Sequence, residues 1–350
     1  MEKVRIQDDL YNHVNAEWLE TAVIPDDKPS TGGFADLEDG VEKNLISDFN
    51  EMLEKGTYPN HHLENACKLF KAVKDVKRRN RDGIRPVLKT LNRINKLNGV
   101  SNLNRHLKDF VLDDLPLPFA MSVQPDMKNT SVNSICIQGP SCILPDTTYY
   151  LEPVAQQRDM MLGLWSNMAK ALLSKTRLSA EEQELFLADT LKFDAIIATL
   201  VKSSEEWSEY ANIYNPMKVG HVNSLMKPLK FKKLLLDLFG VVPEYIVVAE
   251  PRFFKNFKTL FSEENFVLYK HWAYVMALVG STSFLSEELR EIGSSFRMAL
   301  MGLRAIPSPE KHAYRLAGNM FSQPVGLFYG EKYFGPEAKK DVVDMVNEII

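Results

Sequence analysis

Seven histidines and three cysteines are the residues of this 350-residue chain best able to hold a metal or attack a substrate. A zinc-binding helix needs His-Glu-x-x-His, because residues four apart share a face and both imidazoles then reach one ion. None of His13, His61, His62, His106, His221, His271 or His312 is followed by Glu. His61 and His62 with Glu64 form the densest group, but adjacent helical residues diverge by about 100°, which argues against a shared metal. His271 and His312 fall in helical patterns and read as packed or surface side chains. Cys136 and Cys142 lack zinc spacing and a neighbouring histidine, and Cys67 lies inside a helical pattern. An odd number of thiols builds no disulfide framework, so all three read as reduced cysteines of a cytoplasmic chain.

Other catalytic patterns fail in the same way. Gly-x-Ser-x-Gly and the phosphate loop are missing, and Gly32-Gly33 lacks the third glycine and preceding strand of a dinucleotide fingerprint. Glu205-Glu206 and Glu263-Glu264 read as acidic first helical turns. The basic run Lys74, Lys77, Arg78, Arg79, Arg81 and Arg85 has no aromatic residue between Ala72 and Ile94 to stack a base, so it reads as a solvated helix end near Gly83. The sequence therefore assigns no catalytic residue and no metal ligand to this chain.

The elements that would position any site are mostly helical. Composition is globular, with 45% hydrophobic and 25% charged residues, and a net charge of -4 offers no general attraction to nucleic acid or anionic membrane. No apolar run approaches the roughly 20 residues that span a bilayer. Charges in Met1 to Asp9 occupy the place of a signal peptide's apolar stretch. The first thirty-odd residues, with Pro25, Pro29, Gly32 and Gly33, read as irregular. Helical periodicity starts near Leu37 and ends at Gly56, and a second helix carries Leu63 to Val73. Shorter helices are expected over 87–97 and 103–112. Phe119–Gln124 and Ser131–Ile137 predict a β-hairpin across a turn-rich link, and Tyr245–Ala249 a buried strand. Met160 to Leu173 makes a wide apolar stripe, and Ser179 with Glu182 is a capping box for a helix to about Val201. Ser262, Ser286 and Ser308-Pro309 mark further helix starts. Pro336 and Glu337 open a last helix whose apolar face, Val342, Val343, Met345, Val346, Ile349 and Ile350, meets no stop signal. That unfinished stripe predicts a chain cut within a helix.

The order of short motifs adds a resemblance. Asp9-Leu10-Tyr11-Asn12-His13-Val14-Asn15-Ala16-Glu17-Trp18-Leu19 is followed by Ile24-Pro25-Asp26 and Gly32-Gly33-Phe34. Then come Phe119-Ala120-Met121-Ser122-Val123 with Asp126, Leu144-Pro145-Asp146 with Tyr149-Tyr150-Leu151, and Trp207 with Tyr214-Asn215-Pro216-Met217. Val325-Gly326, Tyr329 and Glu331-Lys332-Tyr333-Phe334 close the series. In kind and order these resemble the N-terminal half of the neprilysin family of zinc metallopeptidases. Without paired cysteines or a signal anchor, the chain is most similar to the bacterial cytoplasmic branch, the oligopeptidase O type.

The resemblance implies a mainly α fold: a multi-helix lobe with a small β-hairpin, the non-catalytic half of a two-lobed closed shell. It implies that residues 1–40 bridge the lobes, 41–335 form the helical lobe, and 336–350 begin a connecting helix into a catalytic lobe. Zinc, bound through His-Glu-x-x-His and a later Glu, would belong to residues beyond Ile350. There it would polarise a peptide carbonyl and activate water, with the motif Glu as general base. The partners implied are oligopeptide substrates and the C-terminal catalytic lobe, with no nucleic acid and no membrane. Neprilysin carries arginines after its Ile-Pro segment that hold a substrate carboxylate. Ser30 and Glu38 stand at the matching positions and cannot form that bidentate pair, which favours internal cleavage of oligopeptides. Ser30, Gly33, Phe34 and Glu38 are the substrate-facing candidates; the competing reading is that they brace the junction between lobes. Two further readings stay open: a stand-alone helical peptide-binding or scaffold protein, which a stop codon after Ile350 would favour, and a nucleic-acid binder using Lys74–Arg85, which salt-sensitive oligonucleotide binding would reveal.

Overall fold

The computed structural model describes residues 4–349, which fold as two compact units. Unit 1 comprises residues 1–81 and 297–350, and unit 2 residues 82–296. Both boundaries fall within helices, Val76–Asp82 and Glu287–Met301, so no linker composition marks them within the 41–335 stretch.

In unit 1 the helices Gly33–Lys55, His61–Lys74, Pro309–Met320 and Ser322–Tyr333 share one core. Leu45, Phe49 and Met52 pack with Leu63, Cys67, Phe70 and Val73, and the small Ala313 and Ala317 bring the Pro309–Met320 helix close. Phe49 and Phe70 meet edge to face at 5.5 Å. Gly56 ends the first of these helices with φ 63°, a left-handed conformation that favours glycine, as its sequence position predicts. Asn60 caps the next by accepting from the backbone N–H of His62 and Leu63, each at 3.0 Å.

The opening segment differs from the irregular chain expected of it. Leu10–Thr21 is a helix, capped by Asp9 accepting from Asn12 N at 2.9 Å. None of its residues is buried, so no apolar stripe marked it. The last helix, Pro336–Ile349, likewise exposes Val342, Val343, Met345, Val346 and Ile349. Ile350, assigned to the same face, and Met1 to Lys3 lie outside the described residues.

In unit 2 the helix Phe266–Ser281 is the hub, packed against Ala180–Leu200, Arg85–Asn95 and Ala155–Leu173. It is apolar nearly all round, as a central helix must be. Phe253, Phe254, Phe257, Phe261 and Tyr269, all fully buried, run into it as a chain of ring contacts. The capping box at Ser179 and Glu182 is present, and Val201 ends that helix. Ser262 acts one turn early: its hydroxyl accepts from Asn265 N at 3.2 Å, and the helix begins at Phe266.

The expected hairpin is β1 (Ala120–Pro125) and β2 (Asn133–Gln138), antiparallel with Ala120 opposite Gln138. It belongs to a larger sheet that also holds β3 (Pro216–Lys218) and β4 (Tyr245–Val248), in the order β1-β2-β4-β3 among the described residues. β4 runs parallel to β2 and antiparallel to β3. β3 is three residues led by proline, which suits a sheet edge.

Candidate functional site

In unit 1 the substrate-facing candidates sit at the entry to the helix Gly33–Lys55. Ser30 precedes it, Gly33 and Phe34 lie in its first turn, and Glu38 is one turn on from Phe34. Phe34 and Glu38, four apart, therefore share a face, which Leu37 extends. All four candidates are exposed, and Phe34 is 90% exposed, an unusual position for so large an apolar ring.

What fixes this entry is an ion network that sequence reading missed. Arg315 Nε donates to Glu42 Oε2 at 2.7 Å, and Lys311, one turn earlier on the same helix, lies 3.8 Å from Glu42. Asp27 Oδ2 is buried without a hydrogen bond, and Lys311 and Arg315 neutralise it from 3.5 and 3.6 Å. Lys28 Nζ bonds Asp39 at 2.6 Å and holds that carboxyl below its usual range. Burial disfavours the Arg315 charge, yet the Glu42 carboxylate outweighs it and raises the guanidinium above its ordinary value. The backbone N–H groups of Arg304 and Ala305 both donate to Asp26 O, at 2.9 and 3.0 Å. These contacts join residues far apart in sequence, so no local spacing announces them.

In unit 2 several of the family-like motifs meet around one loop, residues 138–150. Glu250, 2% exposed, accepts from Gly139 N and Lys202 N, each at 2.6 Å. Asp194, 1% exposed, accepts from Ile143 N at 2.8 Å and from the Tyr150 hydroxyl. Asp146 accepts from Ser204 N at 2.6 Å and Thr148 N at 2.7 Å. Loop and neighbours line a cavity of about 330 Å³, with Trp207 in its wall. Nearby, Asp126 takes hydrogen bonds from the Ser134 and Tyr214 hydroxyls, at 2.6 and 3.1 Å, joining two motifs distant in sequence.

The electrostatics mark these as braces. Burial pushes Asp194 up to about 6, against the hydrogen bonds from Tyr150 and Ile143, and pushes Glu250 up as well. Asp146 is held low, because its hydrogen bonds from Ser204 and Thr148 outweigh its burial. Burial, then the carboxylates of Asp194, Glu250 and Asp146, drive the Cys142 thiol far up, so it stays protonated and unreactive. The oxygens of Glu250 and Asp194 are engaged by backbone amides and the Tyr150 hydroxyl, which ties the loop to its neighbours.

The histidines follow the same logic. His271, 5% exposed, bonds Asp189 through Nδ1 at 2.6 Å and stacks on Phe186 at 3.8 Å; burial lowers its pKa despite that carboxylate. His61 and His62 rings lie 4.4 Å apart. Among the described residues no three His, Cys, Asp or Glu side chains converge on a common point, so these residues do not fit a zinc ion. The basic run also differs from the expected solvated helix end. Arg79 is buried and donates from Nε to Val73 O at 2.7 Å, while Lys74 bonds Glu310 and Asn50.

Comparison with known proteins accounts for the motif order. The N-terminal-domain sequence model of Peptidase family M13 matches residues 6–350. The neutral endopeptidase of Lactococcus lactis is 38% identical over 347 residues, covering 99% of this chain and 55% of that protein. A Streptococcus gordonii protein described provisionally as a zinc metalloproteinase is 34% identical, covering 99% of this chain and 61% of its own length. The crystal structure of PepO from Lactobacillus rhamnosis superposes with a TM-score of 0.91 at 28% identity, over 99% of this chain and 54% of that one. The mainly α architecture with its small sheet is thus that of the N-terminal half of such structures, and the chain spans about half the length of the curated relatives it matches. The chain belongs to Peptidase family M13.

Proposed function

We propose that this chain is the substrate-enclosing, non-catalytic lobe of a zinc-dependent endopeptidase that cleaves oligopeptides in the cytoplasm. The observation that carries the reading is coverage: similarity to a neutral endopeptidase runs along 99% of this chain but only 55% of that protein. The zinc site then belongs to the remaining part, since the described residues do not make one. In this reading 1–40 bridges the two lobes, 41–335 forms the enclosing lobe and 336–350 leads into the catalytic lobe. The exposed apolar residues of Leu10–Thr21 and Pro336–Ile349 support a covering partner of that kind, because such surface is costly to leave in water.

Ser30, Gly33, Phe34 and Glu38 face the substrate in this proposal. Phe34 offers an apolar contact, while Glu38 repels a terminal carboxylate and so favours internal cleavage. Three free cysteines suit a reducing compartment. No helix among the described residues is long and apolar enough to cross a membrane. Neither nucleic acid nor membrane is a partner in this reading.

A quenched fluorogenic oligopeptide tests the proposal on two proteins, this chain and the longer gene product containing it. Chelator-sensitive cleavage by the longer protein and none by the 350-residue chain is the expected result. Cleavage by the chain alone, or an inactive longer protein loaded with zinc, overturns it.

A further inference from the structure

Unit 2 carries a second concavity, of about 660 Å³, beside the turn after Met226 and the helix Phe231–Phe239. Pro228, Leu229, Leu236 and Val242 line its apolar part, and Lys227, Lys230, Lys232 and Lys233 also border it. Lys233 is engaged by Asp237. The ammonium groups of Lys227, Lys230 and Lys232 have no side-chain partner among the described residues. From Pro216 to Leu236 the sequence has five lysines and no Asp or Glu, in a chain whose net charge is -4. Unpaired like charges gathered at one place repel one another, and an anion bound among them relieves that repulsion.

The groove is also pre-shaped. Asn104 clamps the turn from both sides, its Nδ2 donating to Pro228 O at 3.1 Å and its Oδ1 accepting from Lys230 N at 2.8 Å. Asn223 Oδ1 accepts from Lys232 N at 2.9 Å. A turn backbone held this way needs little further ordering when the groove is filled, so the cost of binding falls on the lysine side chains. Its volume lies in the roughly 300–1,000 Å³ range of ligand pockets.

The geometry points to a docking groove for a short acidic peptide segment. One apolar side chain enters between Pro228, Leu236 and Val242, and flanking carboxylates reach Lys227, Lys230 and Lys232. Charge complementarity selects the flanks, and the concavity selects the side chain. A planar layer of anionic lipid headgroups offers the charge but nothing to fill the recess, whose wall residue Leu236 is half-exposed. The site lies wholly within unit 2, so the inference stands apart from the peptidase reading.

Fluorescence anisotropy of labelled Asp-Glu-Leu-Phe-Glu-Asp on the 350-residue chain tests it, with Asp-Glu-Ala-Ala-Glu-Asp as the comparison probe. Saturable binding is expected, weakened about tenfold or more by the combined change Lys227→Glu, Lys230→Glu and Lys232→Glu. The Ala-Ala probe and Leu236→Gln should each weaken binding severalfold, and about 0.15 M salt should weaken it further. The corresponding Lys→Gln triple variant, with unchanged circular dichroism, separates lost charge from lost fold. No saturable binding, equal affinity for the two probes, or full affinity in both triple variants overturns the proposal. So does co-sedimentation with phosphatidylserine vesicles without peptide binding, which would make the surface a membrane contact.

Discussion

Two stretches rich in the same family's motifs use them in opposite ways. In unit 2, Asp126 and Asp146 accept from backbone amides, and the Tyr214 and Tyr150 hydroxyls donate to the carboxylates of Asp126 and Asp194. In the first forty residues of unit 1, the motif residues Tyr11, Val14, Ile24 and Phe34 are 60%, 67%, 51% and 90% exposed. Motif residues of the first kind hold a loop in shape. Those of the second kind add nothing to the core of their own unit, and the proposed substrate-facing residue Phe34 is one of them. The two regions are also held differently: buried carboxylates on backbone amides in unit 2, carboxylates paired with partly exposed cations in unit 1.

The largest effect expected from that difference is at Glu250. Glu250→Ala leaves the N–H groups of Gly139 and Lys202 without their acceptor in a buried place, a loss of about 2–5 kcal/mol for two such groups. Urea unfolding measures it, and a loss below about 1 kcal/mol would mean that water replaces the carboxylate and that the loop is not braced as described.

Acid should act with opposite sign on the raised carboxyls Asp194 and Glu250 of unit 2 and the lowered carboxyls Asp39 and Glu310 of unit 1. Asp194 titrates near 6 when folded against an ordinary value of 3.8, so the folded state keeps a proton that the unfolded chain releases. Its contribution to stability is full below 3.8 and is lost as pH rises through about 6, a difference of about 3 kcal/mol. Glu250 moves in the same direction. Asp39 and Glu310 of unit 1 are held low by Lys28 and Lys74, so their contribution is present above the ordinary carboxylate range and lost as pH falls through their lowered values. Hydrogen exchange, corrected for intrinsic rates, should show 139–150 gaining protection from pH 7 to pH 5. Segments 35–42 and 309–315 should instead lose protection below about pH 4. Asp194→Asn should flatten the first change; an unaltered profile would assign it to other groups.

Legibility in the sequence follows the same divide. Elements with a buried face or a local cap were readable: the hairpin from its β-prone runs, Tyr245–Val248 from its apolar run, and the Ala180–Leu200 helix from its capping box. The Leu10–Thr21 helix was not, because it buries nothing and periodicity records only burial. The candidate face was found through resemblance, while its supports were out of reach. Glu42 and Arg315 are 273 positions apart, and only the fold brings them together. The basic run misled for the same reason: Arg79 and Lys74 look like surface charge until their partners, Val73 O and Glu310, are in place.

A smaller effect is expected from the ion network itself. Arg315→Met leaves Glu42 and Asp27 with Lys311 alone, and Arg315 is 34% exposed, so water offsets part of the loss. About 1–2 kcal/mol is expected, shrinking in high salt as surface electrostatics are screened. A loss that salt leaves untouched would mean that the arginine acts through packing of its apolar stem.

The smallest effect on stability, and the sharpest test of the contrast, is at Phe34. With 90% of the ring in solvent, Phe34→Ala removes almost no burial, and the unfolding midpoint should correspond to a change within about 0.5 kcal/mol. If the chain is the lobe of a longer peptidase as proposed, the same substitution there should raise KM severalfold for peptides with apolar side chains, leaving kcat nearly unchanged, as expected for a group that binds without joining the chemistry. Glu38→Arg on the same face should instead shift preference toward substrates ending in a free carboxylate, by replacing a repelling charge with a bidentate donor. Unfolding data and KM therefore separate two meanings of an exposed ring. A destabilised chain would make Phe34 part of the fold after all. A stable chain with unchanged KM and unchanged C-terminal preference would leave the face as a brace against the rest of the protein, and substrate contacts would have to be sought elsewhere.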